Sequence, residues 1–173
     1  MIVLLGLAAF AGEPDVRSLE WAQHFQWTEP HRSNMPGAAP VSEGWLVELR
    51  VDPIKARASQ SAPALYAGEV AVYRTNWDDV GGCAVVIIPG PADLATTLFY
   101  FGSEALPESA DPAAELRAAR SQGVTPLSVS PAMTRAGTTR IVPDVRDVYA
   151  AAADRVEACS PHEKRRAQSL RGR

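Results

Sequence analysis

Six apolar residues in a row, Cys83-Ala-Val-Val-Ile-Ile88, constrain this chain more than any other stretch. A strand with one wet face alternates apolar and polar side chains. A strand that is apolar throughout is covered on both faces. The run follows Asn76-Trp-Asp-Asp-Val-Gly-Gly82 and stops at Pro89-Gly90-Pro91, and both flanks are rich in turn-forming residues. The chain must therefore build a sheet with packing layers above and below it. The expected class is α+β, with α/β as the alternative. The expected architecture is one mixed sheet of about five or six strands packed by two or three helices.

The neighbouring segments fill in that plan. Trp45, Val47, Leu49 and Val51 alternate with Glu48 and Arg50, which predicts a half-buried strand with the two charges outward. Leu65–Thr75 holds a second strand region, with Val70, Val72 and Leu65 inward and Gly68 at a bulge or bend. Asn76–Gly82 reads as a hairpin turn. Thr97–Phe101 is an aromatic strand, Val124–Val129 a short one, and Thr138–Val142 an edge strand.

Three helices are expected. Over Glu13–Phe25, Val16, Leu19 and Ala22 recur every third residue, and Trp21 and Phe25 lie four apart. Over Asp111–Gln122, Asp111 is placed to cap, Pro112 suits the first turn and Gly123 the end. Over Asp144–Cys159, Val145, Val148, Tyr149, Ala152, Val156 and Cys159 form one stripe. The order strand, Asp111–Gln122 helix, strand permits a right-handed βαβ crossover.

Residues 1–11, MIVLLGLAAFA, form an apolar segment with Ala9 and Ala11 two apart and no charged side chain. They read as a candidate signal peptide, although no Lys or Arg precedes the apolar core. The segment is too short to span a bilayer. Residues 12–160 then form one globular domain. Residues 161–173, with Lys164, Arg165, Arg166, Arg171 and Arg173, read as a basic, flexible tail. The net charge of −3 and the want of aromatics near the tail argue against nucleic acid as a partner. Export would give Cys83 and Cys159 an oxidising compartment, in which an even pair forms one disulfide. Cys159 lies on a core-facing stripe and Cys83 heads the buried strand, so their contact is expected.

Chemical motifs are sparse. The sequence contains no G-x-G-x-x-G, no P-loop and no G-x-S-x-G elbow. His24, Glu29 and His31 lack a recurring metal-ligand spacing, and Pro30 breaks the run, so no metal site is expected. Asn76, Asp78 and Asp79 begin like a calcium loop, but Val80 and Ile87 stand where ligands are needed. The best-placed contact candidates are Trp77 and Asp78 at the turn tip, and Ser103, Glu104 and Glu108 in the loop that leaves an aromatic strand. Trp21, Trp27, Trp45 and Tyr73 are further aromatic candidates. No residue is nominated as catalytic, and no cofactor is implied.

The expected function is that of an exported small globular protein, a non-catalytic binding or accessory protein, with a protein or small-molecule partner. One alternative is an extracytoplasmic hydrolase using acidic or histidine side chains, with His24, Asp78, Glu104 and Glu108 as its candidates. Another is a cytosolic α/β ligand-binding protein. The expected location is secreted or periplasmic, with cytoplasmic as the alternative.

Overall fold

A computed structural model describes residues 16–31, 40–54, 64–68, 70–76, 80–102, 114, 117, 127–128 and 139–173. Its strands are β1 (Val16–His31), β2 (Val41–Val51), β3 (Ala64–Ala67), β4 (Val70–Ala71), β5 (Tyr73–Arg74), β6 (Cys83–Pro89), β7 (Leu98–Gly102), β8 (Leu127–Ser128) and β9 (Arg140–Val142). Helix α1 (Val145–Cys159), a short 3-10 turn (Pro161–Glu163) and helix α2 (Lys164–Arg171) close the chain. The α+β content is as expected, but there are two sheets rather than one. A five-stranded sheet runs β5-β6-β2-β1-β9, and a four-stranded sheet runs β4-β3-β7-β8.

The apolar run of β6 behaves as its composition demands. Ala84, Val86 and Ile88 enter a core shared with Leu65 and Ala67 of β3 and Phe99 and Phe101 of β7. Val85 and Ile87 point the other way, into a core with Val148, Ala152 and Val156 of α1 and Leu170 of α2. The large sheet is therefore the middle of three layers, with the small sheet on one face and the helices on the other.

The same covering overturns the half-buried reading of β2. Val47, Leu49 and Val51 face the small sheet, while Leu46 packs among the helices. Glu48, expected to point into water, is buried and paired with Arg155 of α1.

The helix expected over Glu13–Phe25 is a strand where it is described. Its helix-like spacing has a specific cause. Between Val16 and Ala22, β1 carries two register shifts, so Val16, Leu19 and Ala22 stand opposite Val51, Leu49 and Val47. Each β-bulge inserts one extra residue and so resets the two-residue alternation. Two bulges in succession place every third side chain on one face, which mimics a helical stripe.

Three other expectations change. β7 and β8 pair antiparallel, so they are not the parallel strands of a βαβ crossover. The Asp111–Gln122 helix between them falls outside the described residues except for Ala114 and Arg117, which are helical. The 161–173 tail is folded: α2 buries Ala167 and Leu170 against α1 and the large sheet. The edge strand over Thr138–Val142 is present as β9, the parallel partner of β1.

Helix α1 follows its sequence signals. Asp144 caps it by accepting the Arg146 N–H, and the Asp147 side chain reaches back to the Asp144 N–H, satisfying donors the helix cannot. β5 and β6 form the expected hairpin, yet Asn76 is not a solvated turn residue. Its amide donates to Cys83 O at 2.8 Å and Ser160 Oγ at 3.0 Å, and its Oδ1 accepts the Val85 N–H at 2.7 Å. Gly82 closes the turn at φ +64°, and a Cβ there would stand 2.6 Å from the Val51 carbonyl oxygen. A side chain is excluded on both counts.

Candidate functional site

The strand register brings together residues that are far apart in sequence. His24 of β1 lies opposite Trp45 of β2. Phe25 lies beside Arg140 of β9, which sets Thr139 next to His24. The loop after β6 folds over this end of the sheet because Trp45 Nε1 donates to Ala92 O at 2.9 Å. The result is an open cleft of about 380 Å³, lined by His24, Glu43, Trp45, Pro91, Ala92, Asp93 and Thr139.

His24 is the centre of the cleft and is held on three sides. Its ring lies 4.9 Å from the Trp45 ring, tilted by 53°. Nδ1 is 3.1 Å from Thr139 Oγ1, and Nε2 is 3.3 Å from Glu43 Oε2. The His24 side chain is only 14% exposed and that of Glu43 33%. A carboxylate accepts and does not donate, so Glu43 favours a proton on Nε2. In the neutral ring Nδ1 is then the acceptor, and the Thr139 hydroxyl points its proton at it. Asp93 accepts the Ala95 N–H at 3.0 Å through Oδ1, which fixes its carboxylate at the rim.

A second cluster sits on the helix side of the large sheet. Cys83 and Cys159 form a disulfide with Cα atoms 6.0 Å apart, as their placement led us to expect. A Glu48 carboxylate oxygen and both sulfurs lie within 4.8 Å of one another. Arg155 pairs with Glu48 and lays its guanidinium 4.5 Å from the Trp21 ring centre. Metal-binding cysteines must be thiolates, and both sulfurs here are spent on each other. The cluster is a clamp between β6, β2 and α1. A further buried cation, Arg74 of β5, has its guanidinium pushed down to about 10 by burial, with Glu163 working the other way.

The contact candidates read from the sequence, Trp77, Asp78, Ser103, Glu104 and Glu108, all lie outside the described residues. Of the other aromatics, Trp27 donates to Val41 O at 2.9 Å, Trp45 anchors the cleft loop and Trp21 backs Arg155. All three are tied into the structure. The residues that sequence reasoning missed are Glu43, Asp93 and Thr139. No local motif marks them, because the strand register alone brings them to His24.

This architecture defines a three-layer α+β protein, stapled by one disulfide, with a histidine-centred cleft at one end of the middle sheet. Compared with known proteins, the chain matches no protein-family model, no curated protein and no solved structure.

Proposed function

We propose that this chain is an exported binding or accessory protein that takes its ligand in the His24 cleft. One observation carries the reading: an aromatic ring, an imidazole, a hydroxyl and two carboxylates converge on one concavity. Small-molecule sites are concavities in which a few polar groups set orientation against an apolar wall. Both ring nitrogens of His24 are already engaged by the protein, which suits a fixed binding surface. Export is supported by the Cys83–Cys159 bridge, because such bonds persist in oxidising compartments. No helix among the described residues is long and apolar enough to cross a membrane.

The test is a fragment screen read by amide NMR shifts. Binders should shift resonances of His24, Glu43, Trp45 and Asp93 saturably, with dissociation constants below about 1 mM, and His24→Ala should abolish the shifts. If all binders map elsewhere, the cleft is not the ligand site.

One feature favours the hydrolase alternative: the order hydroxyl, imidazole, carboxylate in Thr139, His24 and Glu43. This is the arrangement in which a base activates a nucleophile and a third group orients the base. On that reading Thr139→Ala and His24→Ala each remove turnover of an activated ester such as p-nitrophenyl acetate. Equal turnover in the wild type and both variants would dismiss it.

A further inference from the structure

We infer, on the reading that the His24 cleft is the ligand site, that its ligand is an organic cation: an ammonium or guanidinium on a short apolar body. The charge balance of the lining points that way. Among the described lining residues the acidic side chains are Glu43 and Asp93, and none is a lysine or arginine. Each has one oxygen committed to the protein, Glu43 Oε2 to His24 Nε2 and Asp93 Oδ1 to the Ala95 N–H. Among the described residues, that leaves Glu43 Oε1 and Asp93 Oδ2 without a partner. A carboxylate oxygen held at a cleft wall is an acceptor only, and the strongest donors for it are cationic N–H groups.

The guanidinium next to the cleft in sequence does not compete. Arg140 follows Thr139 in sequence, but it lies over the Phe25 ring at 5.6 Å. Phe25 belongs to the helix-side core, on the face of the sheet away from the cleft. An anionic ligand would therefore meet two carboxylates and no lysine or arginine among the described lining residues. The remaining lining suits the body of such a ligand. Pro91 and Ala92 are apolar, and Trp45 presents an aromatic ring, which attracts a cation at its face.

The probes share one butyl chain and differ in the charge of the head group: n-butylammonium, n-butanol and pentanoate. Each is titrated into the intact, disulfide-bonded protein and followed by the amide shifts of the cleft residues. The ammonium should bind at least about tenfold tighter than the alcohol, and pentanoate should produce no saturable shift. Asp93→Asn and Glu43→Gln should each weaken ammonium binding about three- to tenfold and weaken alcohol binding less. The amide variants keep an acceptor oxygen, so an unchanged thermal midpoint shows that the fold is intact. Raising the salt to about 0.5 M should weaken the ammonium selectively. If the alcohol or the anion binds the cleft as tightly as the ammonium, the cation assignment is wrong and the ligand site stands. If no probe of any charge shifts a cleft resonance, the ligand site falls with it.

Discussion

Glu48 is the residue whose environment matters most to stability. Its side chain is 7% exposed, on a strand covered from both sides, and its partner Arg155 is 31% exposed. A carboxylate taken out of water is costly unless a cation answers it, and removing one partner of a buried pair typically costs 3–5 kcal/mol. Arg155 keeps some contact with solvent, so the lower end applies. Arg155→Ala should lower the unfolding free energy in urea by about 3 kcal/mol. Replacing both residues by leucine should recover most of that loss, because no charge is left buried. A single substitution that moves the midpoint by less than about 0.5 kcal/mol would show that the pair is effectively solvated. The alternation of Trp45–Val51 located this strand correctly but put Glu48 in water. The sign of its environment depends on Arg155, 107 residues further on, and no pattern within the strand can report that. His24 was legible for the same kind of reason only in part. Its side chain marks chemistry by type, whereas Glu43, Asp93 and Thr139 acquire a role only when β1, β2 and β9 are aligned.

At the scale of elements, α2 shows how two residues can dock a helix. Its other side chains are polar, and only Ala167 and Leu170 enter the core. Leu170 is 1% exposed, and truncating a buried leucine typically costs 2–5 kcal/mol. Leu170→Ala should therefore destabilise the protein by about 3 kcal/mol in urea, and an effect under about 0.5 kcal/mol would mean that α2 is undocked in solution. The polar side of α2 contributes differently. Arg171 reaches back to Asp154 at 2.8 Å and Glu157 at 2.6 Å on α1. Its hydrogen bond holds the Glu157 carboxyl below the ordinary carboxylate value. A carboxyl depressed in the folded state stabilises above its unfolded value and loses that contribution as pH falls through the folded one. Arg171→Ala should lower the neutral urea midpoint only slightly, since the pair is exposed, and that small deficit should disappear as pH falls through the folded Glu157 value. Helix α1 was readable because fifteen residues gave room for a stripe and Asp144 a cap. The eight residues of α2 offer too little periodicity beside so many charges, and β1 was misread because its bulges imitate the wrong period.

For the whole molecule, the disulfide is the one covalent side-chain cross-link between the middle sheet and the helical layer. It closes a loop of 76 residues, for which the chain-entropy model gives about 4 kcal/mol of stabilisation. Reduction, or Cys83→Ser with Cys159→Ser, should shift the urea midpoint by that order. The bond also links fold to address. Val16 is the first described residue, fully buried opposite Val51, so a cut after Ala11 leaves the whole of β1 in place. If residues 1–11 direct export, protein purified from its own host without reductant should begin at Gly12. Its intact mass should be about 2 Da below that of the corresponding dithiol chain. A full-length chain with two free thiols would remove both the export reading and the bridge. A full-length chain lacking those two hydrogens would keep the bridge and remove the cleaved leader. A chain that begins at Gly12 but remains a dithiol would keep export and remove the bridge. The two halves of the reading are thus separated by one measurement, which depends on neither the cleft nor its ligand.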